Sequence, residues 1–521
     1  MKNFNKYKFK AIIILLSGWL LLGGCSESFL DISPLGQQSE EAFNPESAVV
    51  ACYNALNPYN LQWQVWHHYY LGEMITDNCY KGGLSNDAPS ALMLAQNSTL
   101  PDNDFVLKYW RVCYQQIYRQ NWTLKGLNSM TTITDEARNS MAAEVKFLRA
   151  YSYFMLVRAF ENVPLITEPL SVSEIKVDKS PGTEVWAQIE KDLNDAIPYL
   201  KKRSEMTISK DFGRATKGAA QTLLAKAYLY QKKYAACEST ASEVINSGDY
   251  SLSPDYKDVW SGASEHGDSG TIFDIVYTSS DIGRHISYWA ISQRSRNWRG
   301  WGLNCPSLDL LKEFEQEPGD PRIIWTFQFN GDISEGRTIS NEGYDNPDLM
   351  HCRKAWNALS KDPTNGKYGK NYKVLRYADV LLMYAEAANE TGHTAEALDK
   401  LNMVRKRARE SSITDSEREF INYTLPDLPV DQRVPDVATS NKDELRNAIW
   451  HERRLEFATE GNRFFELVRQ GRAGEVMRSY ESRGGKQGYG RNFDDEKNVR
   501  WPIPQVDIDQ TLGVLTQNPK Y

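Results

Sequence analysis

Two stretches of this chain carry residues suited to holding a sugar. Tyr288, Trp289, Arg294, Arg296, Trp298, Arg299 and Trp301 crowd into fourteen positions. Trp63, Trp66, Tyr69 and Tyr70 precede Asp77, Asn78 and Tyr80. A sugar ring has apolar C–H faces and a rim of hydroxyls. An indole or phenol packs against the face, while carboxylate, amide and guanidinium groups bond the rim. Glycan contacts are therefore expected at Tyr288, Trp289, Arg296, Trp298, Trp301, Trp63, Trp66, Asp77 and Asn78. A rival reading has the tryptophans of 288–301 packing loops onto helices, with arginines stacked on them. Trp66 and Tyr70 are spaced i, i+4, which also suits a buried helix face.

Catalytic and metal chemistry find little support. His67 and His68 are adjacent, so one helix face cannot aim both at an ion. Glu73 and Asp77, four apart, could mimic a glycosidase acid pair, but that pair is defined by separation across a bound sugar. There is no GxSxG, no P-loop and no GxGxxG attached to a strand. No cofactor, metal or catalytic residue is expected. A net charge of −7 argues against nucleic acid, whose phosphates need a basic surface. Cys52, Cys79, Cys113, Cys237, Cys305 and Cys352 are scattered without a CxxC pair. They read as buried thiols more than as a disulfide framework, with a single bridge left open.

The elements that must position these loops read as helices. Ala220, Leu223, Leu224, Ala227 and Tyr228 follow one helical face, as do Tyr377, Val380, Leu381, Tyr384 and Ala388. Phe147, Tyr151, Phe154 and Arg158 follow another. Tyr109, Trp110, Tyr114 and Tyr118 make a fourth stripe, taken as buried. Ala225, Tyr228, Cys237 and Val244 have steps of 3, 9 and 7, and Ala385, Ala388, Ala397 and Val404 repeat them 160 residues later. Small residues at these offsets suit tetratricopeptide-like helix pairs, turning at 231–233 and 391–393. The helix at 144–160 pairs with one at 183–200 through a loop at Val163-Pro164-Leu165. Another helix is expected at 445–459. The fold class is mainly α, with loop-rich insertions near 57–105 and 250–370 and a few short strands, for example 271–277 and 323–329. Such loops on a rigid scaffold commonly carry binding.

The N-terminus addresses the chain. Lys2, Lys6, Lys8 and Lys10 precede an apolar run from Ala11 to Leu22, too short to span a bilayer. Leu22-Gly23-Gly24-Cys25 follows and is similar to a bacterial lipobox. Residues 1–24 read as a lipoprotein signal and 25–521 as one domain held by acyl chains on Cys25.

Ordered blocks along the mature chain resemble the SusD/RagB family. They include Phe29-Leu30-Asp31, Glu144 to Ala150, Gly213-Arg214-Ala215-Thr216, and Arg376 to Ala387. Glu452 to Ala458, Glu460-Gly461-Asn462-Arg463, and Trp501-Pro502-Ile503-Pro504 follow. The resemblance implies a tetratricopeptide-like scaffold, an outer-membrane lipid anchor facing the cell exterior, and no enzymatic activity. It implies a polysaccharide or oligosaccharide ligand, delivered to a SusC-like TonB-dependent transporter. Some family members take peptides, so a peptide-capturing lid is the alternative, and a glycoside hydrolase a remoter one. The charged residues of the 376–387 and 452–463 blocks read as links between helices, because charge near a core must be partnered.

Overall fold

Helix caps and buried alanines lay out the scaffold. In the computed structural model the described residues are 43–56, 72–84, 86–171, 174–260, 268–277, 287–298, 300–334, 336–340, 350–355 and 370–521. For 208, 209, 288 and 298 the backbone alone is described. Eight helices carry the architecture: α1 (Asp104–Ser129), α2 (Asp135–Phe160), α3 (Gly182–Ala196), α4 (Lys217–Tyr230), α5 (Tyr234–Asn246), α6 (Tyr377–Thr391), α7 (Thr394–Glu410) and α8 (Lys442–Glu456). Side chains of Asn103, Thr134, Thr216 and Asn441 accept first-turn amides at the starts of α1, α2, α4 and α8. Gly392 closes α6 at φ 95°, a left-handed cap that glycine adopts without strain.

The repeat read from small residues is real. α4 pairs with α5 and α6 with α7, with turns at 231–233 and 392–393. Ala225, Cys237, Val244, Ala385, Ala388, Ala397 and Val404 are all buried at these crossings. α2 pairs with α3, and Val163 bridges Ser180 in the loop between them. α1 packs on α2, α5 on α6, and α8 on α6. Residues Val49–Tyr521 constitute one compact unit.

Eight short strands form two-stranded antiparallel pairs among the described residues. They are β1 (Cys79–Lys81), β2 (Thr271–Ile275), β3 (Asn304–Pro306), β4 (Phe327–Phe329), β5 (Ile333–Ser334), β6 (Arg337–Thr338), β7 (Met350–Cys352) and β8 (Tyr372–Arg376). β1 pairs with β3, β2 with β8, β4 with β7 and β5 with β6. The expected strand at 323–329 is half right. Asp320 accepts the Arg322 amide at 2.9 Å and Pro321 fixes its own φ, which starts a helical turn over Arg322–Thr326 before β4 begins. Ile323, Ile324, Phe327 and Phe329 then pack with Leu310, Phe314, Met350 and Leu455, seating this layer on α8. The six cysteines after Cys25 are buried and free.

Ion pairs fasten the loop-rich layer to the scaffold. Glu452, Glu456 and Glu460 recur every four residues along and just past α8. Arg322 is fully buried and bonds Asp320 at 2.8 Å, Glu456 at 3.2 Å and Glu452. Arg376 reaches Glu456 at 2.9 Å and Glu460 at 2.8 Å, and Arg407 reaches Glu456 at 2.6 Å. Burial alone would raise the Glu456 carboxyl. The guanidiniums of Arg407, Arg376 and Arg322 outweigh that and hold it far below the usual range. The charged blocks are thus links between elements, as expected of partnered buried charge.

Candidate glycan-binding site

Pairing of β1 with β3 sets the end of the first stretch, at Asn78 and Tyr80, beside the segment that follows the second. Cys79 faces Pro306, Tyr80 faces Cys305 and Lys81 faces Asn304. The Gly82 amide donates to Leu303 O at 2.8 Å and the Ser307 amide to Asn78 O at 2.9 Å, extending the seam at both ends. Within the second stretch a short helix, Tyr288–Gln293, leads to a turn at Arg296–Trp298. The chain then doubles back. Trp301, Gly302 and Leu303 donate to the carbonyls of Ile291, Arg294 and Ser292 at 2.8, 2.8 and 2.7 Å. Gly300 makes this fold-back possible, since a Cβ there would lie 2.2 Å from Arg294 O.

The surface of this loop is tied to the segment just after β1. Arg296 forms an ion pair with Asp87, and its Nε donates to Trp301 O at 3.2 Å. Asp87 also accepts the Leu84 amide at 2.8 Å. Asn297 is exposed and donates to Thr338 O at 3.0 Å, joining the β5–β6 hairpin. Arg296 and Trp301 are both part-exposed. The backbone of Trp298 lies at the turn, and Tyr288 opens the short helix. Their side chains, like Trp63, Trp66 and Cys25, lie outside the described residues.

Three expected contact residues are in the interior. Trp289 is 1% exposed, packed with Trp260 at 6.3 Å and edge-on to Tyr372 at 5.8 Å. Its ring faces are taken by protein, so it supports the loop from beneath. Asp77 is fully buried, bonded to Arg463 twice at 2.9 Å and to Arg454 at 3.0 Å. Burial would raise its carboxyl, but Arg454 and Arg463 hold it well below the usual range. Asn78 spans Arg454 and Glu73, each at 2.9 Å. Glu73 accepts the amides of Gly461, Asn462 and Arg463 at 3.1, 3.2 and 3.4 Å. Burial pushes it up to about 7, against the pull of Asn78 and those amides. The four-residue spacing of Glu73 and Asp77 therefore anchors this segment to α8 and the turn after it.

Asp87 and Asn297 were not anticipated. Asp87 lies 209 positions from Arg296, and no local spacing marks such a pair. The tyrosine stripe on α1 divides too. Tyr109 and Trp110 are buried, while Tyr118 is 50% exposed.

Comparison with known proteins joins both halves of this arrangement to one lineage. Residues 269–521 match the SusD family, and residues 28–229 match the family described as starch-binding associating with outer membrane. The chain belongs to the SusD-like family. A SusD-like protein of Formosa agariphila is 26% identical over 99% of this chain and 100% of its own length. The starch-binding protein SusD of Bacteroides thetaiotaomicron is 30% identical over 36% of this chain and 33% of its own. A solved laminarin-binding SusD-like protein superposes with a TM-score of 0.73 at 27% identity, covering 92% of this chain and 99% of the other. The helix-pair scaffold with its loop-rich layer is thus the SusD-like fold.

Proposed function

We propose that this SusD-like protein captures a polysaccharide or oligosaccharide at the cell surface and passes it to a SusC-like TonB-dependent transporter. The observation that carries this reading is the fold-back of the 288–303 loop on the β1–β3 seam, which leaves Arg296, Asn297 and Trp301 at or near the surface. Trp301 is part-exposed and is the aromatic group assigned to the sugar face. Arg296, Asn297 and Asp87 supply hydrogen-bonding groups. The laminarin-binding and starch-binding relatives support a glycan as the ligand class. The protein acts by binding and release, not by cleavage.

The leader up to Gly24 is removed and Cys25 is acylated, anchoring the domain in the outer membrane. That agrees with the outer-membrane association in the family description. Cys25→Ser would then leave the protein unlabelled by fatty acid and absent from the membrane fraction.

The deciding experiment is retention on a panel of soluble glycans, laminarin and starch included, beside a peptide mixture. Wild-type protein is expected to bind at least one glycan, with Trp298→Ala and Trp301→Ala each weakening it about 5- to 100-fold, as loss of an aromatic contact does. Retention by peptides alone would turn the reading to a peptide-capturing lid. Release of reducing sugar from a bound glycan would turn it to a hydrolase.

A further inference from the structure

The scaffold carries a second concavity, distant in sequence from the aromatic loops. α5 runs between α4 and α6 and turns one face outward. Ala235, Ser239, Ser242 and Asn246 line that face, all small or polar. The start of α4 and the end of α6 flank it, and the open groove measures about 800 Å³. That is the size of an ordinary small-ligand site, roughly 300–1,000 Å³.

Its chemistry is selective. Tyr377, Val380 and Leu381, earlier members of the α6 stripe, are buried, whereas Tyr384 is only half-buried and lines the groove. Two carboxylates on its lining accept side-chain hydrogen bonds. Glu238 receives Thr391 Oγ1 at 2.6 Å and His393 Nδ1 at 2.7 Å. Glu243 receives Gln221 Nε2 at 2.6 Å. A carboxylate oxygen accepts more than one hydrogen bond, so both keep acceptor capacity for a ligand. An amphipathic helix needs apolar pockets at i, i+3 and i+7, which the small polar floor does not offer. One phenol face, fixed acceptors and serine hydroxyls along a shallow trough suit a chain of sugar rings.

We propose that this groove is a second saccharide-binding site, with Tyr384 packing on a ring face and Glu238 and Glu243 accepting from ring hydroxyls. The proposal rests on the reading of the protein as a glycan binder. Two sites on one rigid body let a long glycan engage both, which raises its hold without any new contact.

Calorimetric titration of the full chain in detergent tests this, using trisaccharides of α-glucan, β-glucan, mannan and xylan. The wild type is expected to show two sites for the preferred sugar. Ser239→Arg, which fills an exposed floor position, removes one of them and leaves the unfolding midpoint unchanged. Tyr384→Ala weakens the same site about tenfold, the equivalent of one modest aromatic contact. Trp301→Ala weakens the other. One site, lost with Trp301→Ala and indifferent to Ser239→Arg and Tyr384→Ala, overturns the groove and leaves the proposed function standing. Binding of a lysine-rich tripeptide in place of sugar, abolished by Ser239→Arg, overturns the groove as a saccharide site. No binding of any saccharide by any form overturns both readings.

Discussion

The helix scaffold and the loop-rich layer solve the same problem, burying a charged and aromatic sequence, in different ways. On α6 and α8 the charged residues sit at helical spacings and meet partners on neighbouring elements, as Asp379 meets Lys226 of α4 and Glu456 meets Arg407 of α7. In the loops each side chain has its own fate. Trp289 and Trp301 lie twelve positions apart on one loop, yet the first is core and the second lies at the surface. The scaffold buries by period and the loops bury by individual contact. Loop residues are therefore free to serve a ligand one at a time, while the scaffold's charges are committed to holding the two layers together.

The largest effect should come from breaking that hold. Arg322→Met leaves Asp320, Glu452 and Glu456 buried together without their shared cation. A loss of about 3–5 kcal/mol is expected, as when one partner of a buried pair is removed. Denaturant unfolding reads it directly, and a loss under 1 kcal/mol would mean the network is dispensable. Next comes Trp289→Ala, which empties a packed site and should cost about 3–5 kcal/mol. Trp301→Ala should change stability by less than about 1 kcal/mol while weakening glycan retention. If the two tryptophan variants behaved alike in both assays, the division between supporting and contacting residues would be wrong.

An intermediate effect lies at the junction of the two layers. His451 on α8 bonds Glu313 at 2.8 Å and Glu317 at 3.1 Å, both contributed by the loop layer. Burial disfavours the charged ring, but the two carboxylates outweigh it and push the imidazole up to about 9. Glu313 and Glu317 are in turn drawn down to about 2, against the opposing effect of burial. The histidine's folded value exceeds its unfolded one, near 6.5. Its contribution is therefore complete below about 6.5 and is lost as pH rises through about 9. The carboxylates' contribution is present above about 4.5 and is lost as pH falls toward 2. His451→Gln should flatten the alkaline limb of a stability–pH curve between pH 6.5 and 9 and lower stability by about 1–3 kcal/mol at pH 6. An unchanged alkaline limb would detach His451 from this role.

How much was legible follows the same division. The helix pairs could be read because their determinants are local: Ala385, Ala388, Ala397 and Val404 repeat the spacing of α4 and α5, and all are buried. The stretch at 323–329 misled because its β-branched and aromatic residues suit a strand. Its first turn is set instead by the Asp320 carboxylate and by the arginine it helps bury. At the candidate site, residue type did not reveal which side chains are buried. Trp289 is buried by Trp260 and Tyr372, which are distant in sequence. Asp77 and Asn78 are claimed by Arg454 of α8 and by Arg463, which opens the next helix. Composition carries no trace of such long-range partners.

The smallest expected effect tests whether the segment after β1 and the 296–301 turn act as one site. Asp87 and Arg296 are each 27% exposed, and exposed pairs of this kind contribute about 0–1 kcal/mol to stability. Asp87→Asn should therefore barely move the unfolding midpoint. Its consequence lies in position. Asp87 fixes Arg296, and the Arg296 guanidinium holds Trp301 O, so the pair sets the distance between the β1 side of the seam and the turn carrying Trp298. Loss of either partner should weaken glycan retention a few-fold, with the double variant Asp87→Asn/Arg296→Gln no worse than the worse single one. That pattern in a double-mutant cycle marks two groups acting through one link. Simple additivity of the two losses would mean that each residue meets the ligand independently and that the seam, not the ion pair, keeps the two segments in register.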